Sequence, residues 1–133
     1  KKKLVLILLL FVSNLGIAQT PEAIGNLQHQ IAIAKDDTSR IKQQAYLCLL
    51  YRLGNSDSSL FYGQQALESA RKINYVQGEI LALSFMSITL EQMGNLPKAL
   101  ETAFKAIEIA KANGSQVANS SSSLTDAPSS TLI

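Results

Sequence analysis

Apolar side chains recur every three or four positions through most of the chain, and short polar or glycine-containing segments interrupt this pattern. Residues three or four apart share one face of a helix, so the spacing predicts amphipathic α-helices. The pattern therefore predicts an all-α protein of antiparallel helix hairpins. Its five helices are expected over about residues 20–34, 40–53, 57–71, 77–93 and 97–113.

The residues that separate these helices have the chemistry of helix ends. Gly54 follows the second helix, and its missing Cβ permits a left-handed exit. Asn55 then offers a side-chain oxygen to the free amides of the third helix. Pro97 stands where a helix start tolerates the absence of an N–H, and Asn113–Gly114 is a second expected left-handed stop.

The helices are arranged in two copies of one unit. A shift of 40 residues aligns Gly54–Asn55 with Gly94–Asn95, and it aligns residues 66–68 with residues 106–108. A turn and a helix interior rarely match together by chance, so we interpret the shift as an internal repeat of helix pairs. The predicted units are residues 38–76 and 77–114, and residues 19–37 form an N-terminal capping helix before them.

The chain begins with a leader. Three lysines precede the unbroken apolar run Leu4–Val12, and the small residues Gly16 and Ala18 follow it. This layout predicts a signal peptide over residues 1–18 and export to the periplasm or another extracytoplasmic space. The alternative is a membrane anchor, but a spanning helix needs about 20 apolar residues and this run is about half as long. We expect no transmembrane segment in the mature chain.

Composition narrows the chemistry. The 133 residues include twelve basic and ten acidic side chains, and loss of the three leader lysines leaves nine basic ones. The mature chain thus lacks the basic surplus that binding of nucleic acid requires. One cysteine and one histidine cannot form a disulfide framework or a histidine-based metal centre, so neither a metal nor another cofactor is expected.

The second unit resembles the tetratricopeptide repeat (TPR). Residues 94–99 (GNLPKA), followed by Ala103 and Ala106, are similar to the turn and the small helix residues of that signature. The first unit matches at fewer positions, which are Gly54, Ser59 and Ala66. The usual TPR unit has about 34 residues, so a 40-residue unit implies longer helices. The resemblance implies a fragment of an α-solenoid.

Residues 55–62 (NSDSSLFY), residues 64–67 (QQAL) and Gly78–Glu79 resemble the extracytoplasmic repeats of Bacteroidetes-type sensor histidine kinases and related regulators. This implies a protein- or peptide-binding module that serves signal transduction as the sensory or interaction part of an exported bacterial protein. A stand-alone envelope scaffold and a truncated remnant of a sensor kinase are the alternatives. Kinase activity would need a further module, so the chain itself is not expected to be an enzyme.

In such repeats the first helices of successive units line a concave groove that holds a partner segment. Helix geometry also places Gln44, Cys48 and Tyr51 on one stripe, apart from the packing stripe of Tyr46 and Leu50. The alternative is that these are ordinary solvated positions. The groove residues that the resemblance implies are Gln44, Cys48, Tyr51, Arg52, Ser84, Ile88, Glu91 and Gln92.

Two positions depart from the TPR pattern. Leu47 replaces the small residue of the first helix, and Gly63 replaces the bulky residue of the second. We interpret the pair as a volume-conserving exchange, because close packing penalises overfilled and empty sites alike.

The catalytic candidates are weak. Cys48 would need a base, but the only histidine, His29, lies on another predicted helix. The pair Asp36–Asp37 is expected to cap or solvate a helix end, and Glu101 with Lys105 is an ordinary surface pair.

The C-terminal end of the second unit lacks a covering helix in the sequence pattern. Residues 115–133 are Ser-rich and show no sustained period, so they are expected to be disordered. The face that carries Leu100, Ala103, Phe104 and Ile107 should therefore stay exposed and favour self-association.

Overall fold

The computed structural model describes residues 2–5 and 21–129, with side chains up to residue 114, and no strand occurs among them. Residues 2–5 are helical, and the rest of the predicted signal peptide lies outside the described residues. The all-α prediction is confirmed. The main helices are α1 (Pro21–Ile33), α2 (Asp37–Tyr51), α3 (Ser56–Lys72), α4 (Val76–Gln92) and α5 (Leu96–Ser129).

Short polar side chains fix the helix starts, as local chemistry predicts. Asp36 caps α2 by accepting a hydrogen bond from the Ser39 N–H at 2.7 Å. Asn55 caps α3 in the same way, with the Ser58 N–H 3.0 Å from its side-chain oxygen. The carboxylate at Asp36 is therefore a cap, as expected for this connection.

The helix exits differ from the prediction. The left-handed residues of the described chain are Asn74 (φ 55°) after α3 and Gly94 (φ 79°) after α4. Gly54 does not adopt this conformation, so that prediction is wrong. The chain instead leaves α2 in a tight turn, in which the N–H groups of Gly54 and Asn55 both donate to the Tyr51 carbonyl.

The expected stop at Asn113–Gly114 is also wrong. Gly114 is not left-handed, and α5 runs on through Ser129. The predicted disordered tail is therefore helical over residues 115–129, while residues 130–133 lie outside the described residues. Serine costs only a few tenths of a kcal/mol in a helix, so nothing forces an end between Gly114 and Pro128, which stands just before the last described residue of the helix.

The helices pack as two hairpins, α2–α3 and α4–α5, and α4 also packs against both helices of the first hairpin. α1 lies against α2 and contributes no fully buried residue of its own, although all of it is described. Small side chains let the helices approach closely. The core cluster consists of Ile41, Ala45, Ala66, Leu67, Ala70, Ala82, Leu83 and Ala106.

Gly63 lies where α4 crosses the first hairpin. A Cβ at this position would overlap the Met86 side chain and would come within 3.0 Å of the Cys48 sulfur. Leu47, which is fully buried, is not among the atoms nearest to Gly63. The predicted exchange between Leu47 and Gly63 is therefore wrong, because the missing volume at Gly63 is occupied by Met86 and Cys48.

Candidate functional site

An open groove of about 320 Å³ runs between α4 and α5. Its α4 side carries Ser87 and Glu91, and the Ser87 hydroxyl donates to the Ala99 carbonyl across the hairpin at 2.9 Å. Its α5 side is apolar. The lining residues are Ser87, Glu91, Leu96, Ala99, Leu100 and Ala103.

The equivalent positions of the first hairpin are covered. Forty residues before Ala103 lies Gly63, which is buried beneath Met86 of α4. Likewise Leu67 is 4% exposed, whereas its counterpart Ile107 is 46% exposed. Helix α4 thus occupies on the first hairpin the place that forms an open groove on the second.

The exposed face of α5 forms a continuous apolar stripe, which we call the α5 row. Its four large side chains are 46–60% exposed, and their spacing of four, four and three residues keeps them on one side of the helix. The α5 row consists of Leu96, Leu100, Ala103, Phe104 and Ile107. Exposed apolar surface of this kind marks interaction sites.

Charged side chains lie on another face of α5. Glu101 accepts hydrogen bonds from Lys98 at 3.0 Å and from Lys105 at 2.7 Å. These bonds, from Lys105 first, lower the pKa of the Glu101 carboxyl below its ordinary value. The ion pairs are solvent-exposed and leave the α5 row uncharged.

The α2 residues predicted for a concave groove differ in burial and in the contacts that they make. Cys48 is fully buried, so its prediction as a partner-contacting residue is wrong. Tyr51 is half-buried and stacks on Tyr62 with ring centroids 5.5 Å apart, and both hydroxyls lie near the Gln28 amide of α1. Arg52 is half-buried and donates to the Leu49 carbonyl at 3.4 Å.

Gln44 lines a second cavity, of about 250 Å³, between α2 and α3. Its Oε1 atom is buried and has no hydrogen-bond partner among the described residues. Arg40 at the edge of the cavity is already engaged by Asp37 and by the Ala34 carbonyl. The remaining lining residues are Ile41, Ser69, Lys72 and Ile73.

The α4 residues of the predicted groove lie nearer to the α4–α5 groove. Glu91 lines the α4–α5 groove, and Ile88, three residues before Glu91 in the sequence, is exposed. Gln92 is also exposed, whereas Ser84 is half-buried and donates to the Ile80 carbonyl of its own helix. The structure therefore does not bring Gln44 and Glu91 into one cavity.

The buried thiol of Cys48 is in an environment that makes it unreactive. Burial raises its pKa, and hydrogen bonding to the Ser59 hydroxyl offsets only part of this effect. A protonated, enclosed thiol is neither a nucleophile nor a metal ligand. No group of three or more His, Cys, Asp or Glu side chains that could hold a metal ion occurs within the described part of the chain.

Sequence reasoning missed Leu96, Ala99 and Ser87 as lining residues. The signal was present in the 40-residue shift at Ser87, which is half-buried, whereas its counterpart Leu47 is fully buried. Ala99 is itself buried, like its counterpart Ser59, so the shift does not single it out. A position that is buried in one unit and lacks a cover in the next is a candidate docking position.

Comparison with known proteins returned no match: no family model, no curated protein and no solved structure is significantly similar to this chain. Over residues 2–5 and 21–129, no helix has both the length and the apolar character needed to cross a membrane.

Proposed function

We propose that this chain is a protein-binding module of TPR-type helix hairpins, and that its α4–α5 groove holds an α-helix of a protein partner. One observation carries the proposal: α4 covers the row of α3 that includes Gly63 and Leu67, and the matching row of α5 is open. A helix seated in an apolar groove is a common mode of protein recognition.

The predicted α4 residues extend this surface. Ile88 and Gln92 are one helical turn apart and flank Glu91, so a partner in the groove could also contact the exposed edge of α4. The α2 residues Gln44, Tyr51 and Arg52 lie apart from this groove, so we propose that they contact a second part of the same protein or peptide. Cys48 has no part in either surface.

We infer the biological setting from the predicted leader and from the resemblance to the extracytoplasmic repeats of sensor histidine kinases. We place the module in the periplasm or another extracytoplasmic space, as the sensory or interaction part of an exported signalling protein, with an envelope scaffold as the alternative. Neither role requires catalysis by this chain.

Site-specific photo-crosslinking tests the proposal. A benzophenone amino acid in place of Phe104 should form an adduct with a protein in cells that make this chain. The same amino acid in place of Gln64, the exposed counterpart of Phe104 on α3, is the matched control. Adducts at both positions, or at neither, would contradict a specific docking surface on α5.

A further inference from the structure

We propose that the occupant of the α4–α5 groove is a second copy of this chain, whose α5 packs antiparallel against the first α5. The two-fold axis passes between Ala103 and Phe104. This inference rests on the proposed function of the groove and names its partner.

The α5 row is complementary to itself in this arrangement. A two-fold interface requires one surface patch to carry both a projection and a matching recess. An axis between Ala103 and Phe104 places the 60%-exposed Phe104 of each copy over the small Ala103 of the other. Leu100 of one copy then faces Ile107 of the other. Within one chain, Met86 already packs over Gly63 in the same way, as a large side chain over a small residue.

Charge also permits identical faces to meet. Like charges repel when a surface pairs with its own copy, but the α5 row contains no ionisable side chain. Glu91, at the rim of the groove, lies next to the N-terminal end of α5. In an antiparallel pair the two Glu91 carboxylates therefore lie toward opposite ends, about 20 Å apart along the helix by its rise per residue.

The apolar area that the α5 row can bury is smaller than the area of a standard stable dimer interface. The four large side chains of the α5 row are each about half exposed, and together they supply on the order of 400 Å² per copy. A standard stable interface buries about 800 Å² per partner. We therefore expect a reversible dimer with a dissociation constant in the micromolar range or weaker.

Sedimentation velocity over a wide concentration range tests the proposal on protein purified after expression of the full chain. The protein should shift from monomer to dimer, and Phe104→Glu should weaken the association at least about tenfold, because it places a charge in an apolar contact. Gln64→Glu is the matched control and should leave association unchanged. A monomer at every concentration, or equal effects of both substitutions, would overturn the proposal.

Disulfide trapping tests the orientation. A mixture of Leu100→Cys and Ile107→Cys chains should form a mixed disulfide, because these positions face each other only in the antiparallel arrangement. Leu100→Cys chains alone should crosslink poorly, and rapid self-crosslinking would overturn the antiparallel pair. If the chain is monomeric but the Phe104 photo-crosslinker captures a different protein, the second-copy inference fails while the proposed function stands.

Discussion

The hydroxyl oxygens of Ser59 and Thr89 lie 2.7 Å apart at a buried point where α3 meets α4. Ser59 also donates to the Cys48 carbonyl of α2 at 2.6 Å, so its oxygen is left to accept from Thr89. Both side chains are fully buried. This polar contact therefore joins α2, α3 and α4 and fixes α4 on the first hairpin. The equivalent place on the second hairpin is the open α4–α5 groove.

Thr89→Val should destabilise the fold by about 1–3 kcal/mol, because it leaves a buried hydroxyl of Ser59 with fewer partners at nearly constant volume. Urea unfolding followed by circular dichroism measures the change. Ser84→Ala is the control: it removes a hydroxyl on the same helix that bonds only to the Ile80 carbonyl, and it should change stability by about 0.5 kcal/mol or less. Equal losses in the two variants would contradict a special role for the buried contact.

Gly63→Ala should destabilise the protein by about 1–3 kcal/mol, because the new methyl group would overlap Met86 and crowd the Cys48 sulfur. Combination with Met86→Ala should recover part of the loss, whereas combination with Leu47→Ala should give nearly additive losses. A double-mutant cycle in urea measures both couplings. A larger coupling to Leu47 than to Met86 would restore the exchange that the sequence suggested.

Gly25 provides the control for the glycine substitution. It lies inside α1, and nothing lies within 4 Å of the position that a Cβ would take. Gly25→Ala should therefore stabilise by up to about 1 kcal/mol through helix propensity alone.

The fold was predictable where its determinants are local. Asn55 and Asp36 cap the helices that follow them, since a side-chain oxygen needs only the next few amides. Left-handed exits were harder to assign, because Gly54 and Gly94 occupy equivalent positions and only Gly94 adopts that conformation. A glycine permits this conformation without requiring it.

The candidate site depends on contacts between distant segments, so less of it was predictable. The exposed α5 row followed from the absence of an amphipathic helix after residue 114. The burial of Cys48 did not follow from its place on a stripe with Gln44 and Tyr51. It results from Ser59 and Gly63 of α3, which sit directly against the thiol.

The Asp36 cap should make stability depend on pH. Hydrogen bonds from the Thr38 hydroxyl and from the Ser39 N–H and hydroxyl lower the pKa of Asp36 from 3.8 to about 2. A depressed folded-state pKa stabilises the fold above the ordinary value, and this contribution is lost as the pH falls from about 4 to about 2. Asp36→Asn keeps a capping oxygen but cannot titrate, so its melting temperature should fall less than that of the wild type in this window.

The Glu101 carboxyl must be separated from this effect, because its pKa is lowered as well. Glu101→Gln should remove a different part of the acid sensitivity and leave the Asp36 part in place. Melting curves that are identical for wild type and Asp36→Asn between pH 4 and pH 2 would contradict the contribution of the cap.

Cys48 should resist thiol reagents in the folded protein. The thiol is fully buried, and burial raises its pKa, so both access and thiolate fraction are low. Reaction with a disulfide dye at pH 8 should be slow in buffer and fast in urea. Rapid labelling without denaturant would show that Cys48 is open to solvent and would return it to the candidate groove.

Hydrogen exchange should reveal the difference between the two hairpins. Helix α3 is covered by α2 and by α4, whereas over residues 97–112 the described contacts of α5 come from α4 alone. Amides with fewer buried neighbours open at lower free energy. The comparison uses the Phe104→Glu variant, once sedimentation shows it to be monomeric. In this variant the amides of residues 97–112 should therefore exchange faster than those of residues 57–72. In the wild type at high concentration the difference should be smaller, because dimerisation covers the α5 row. Equal protection of the two segments in a monomer would show that α5 needs no covering partner, because its packing on α4 would then suffice to hold it.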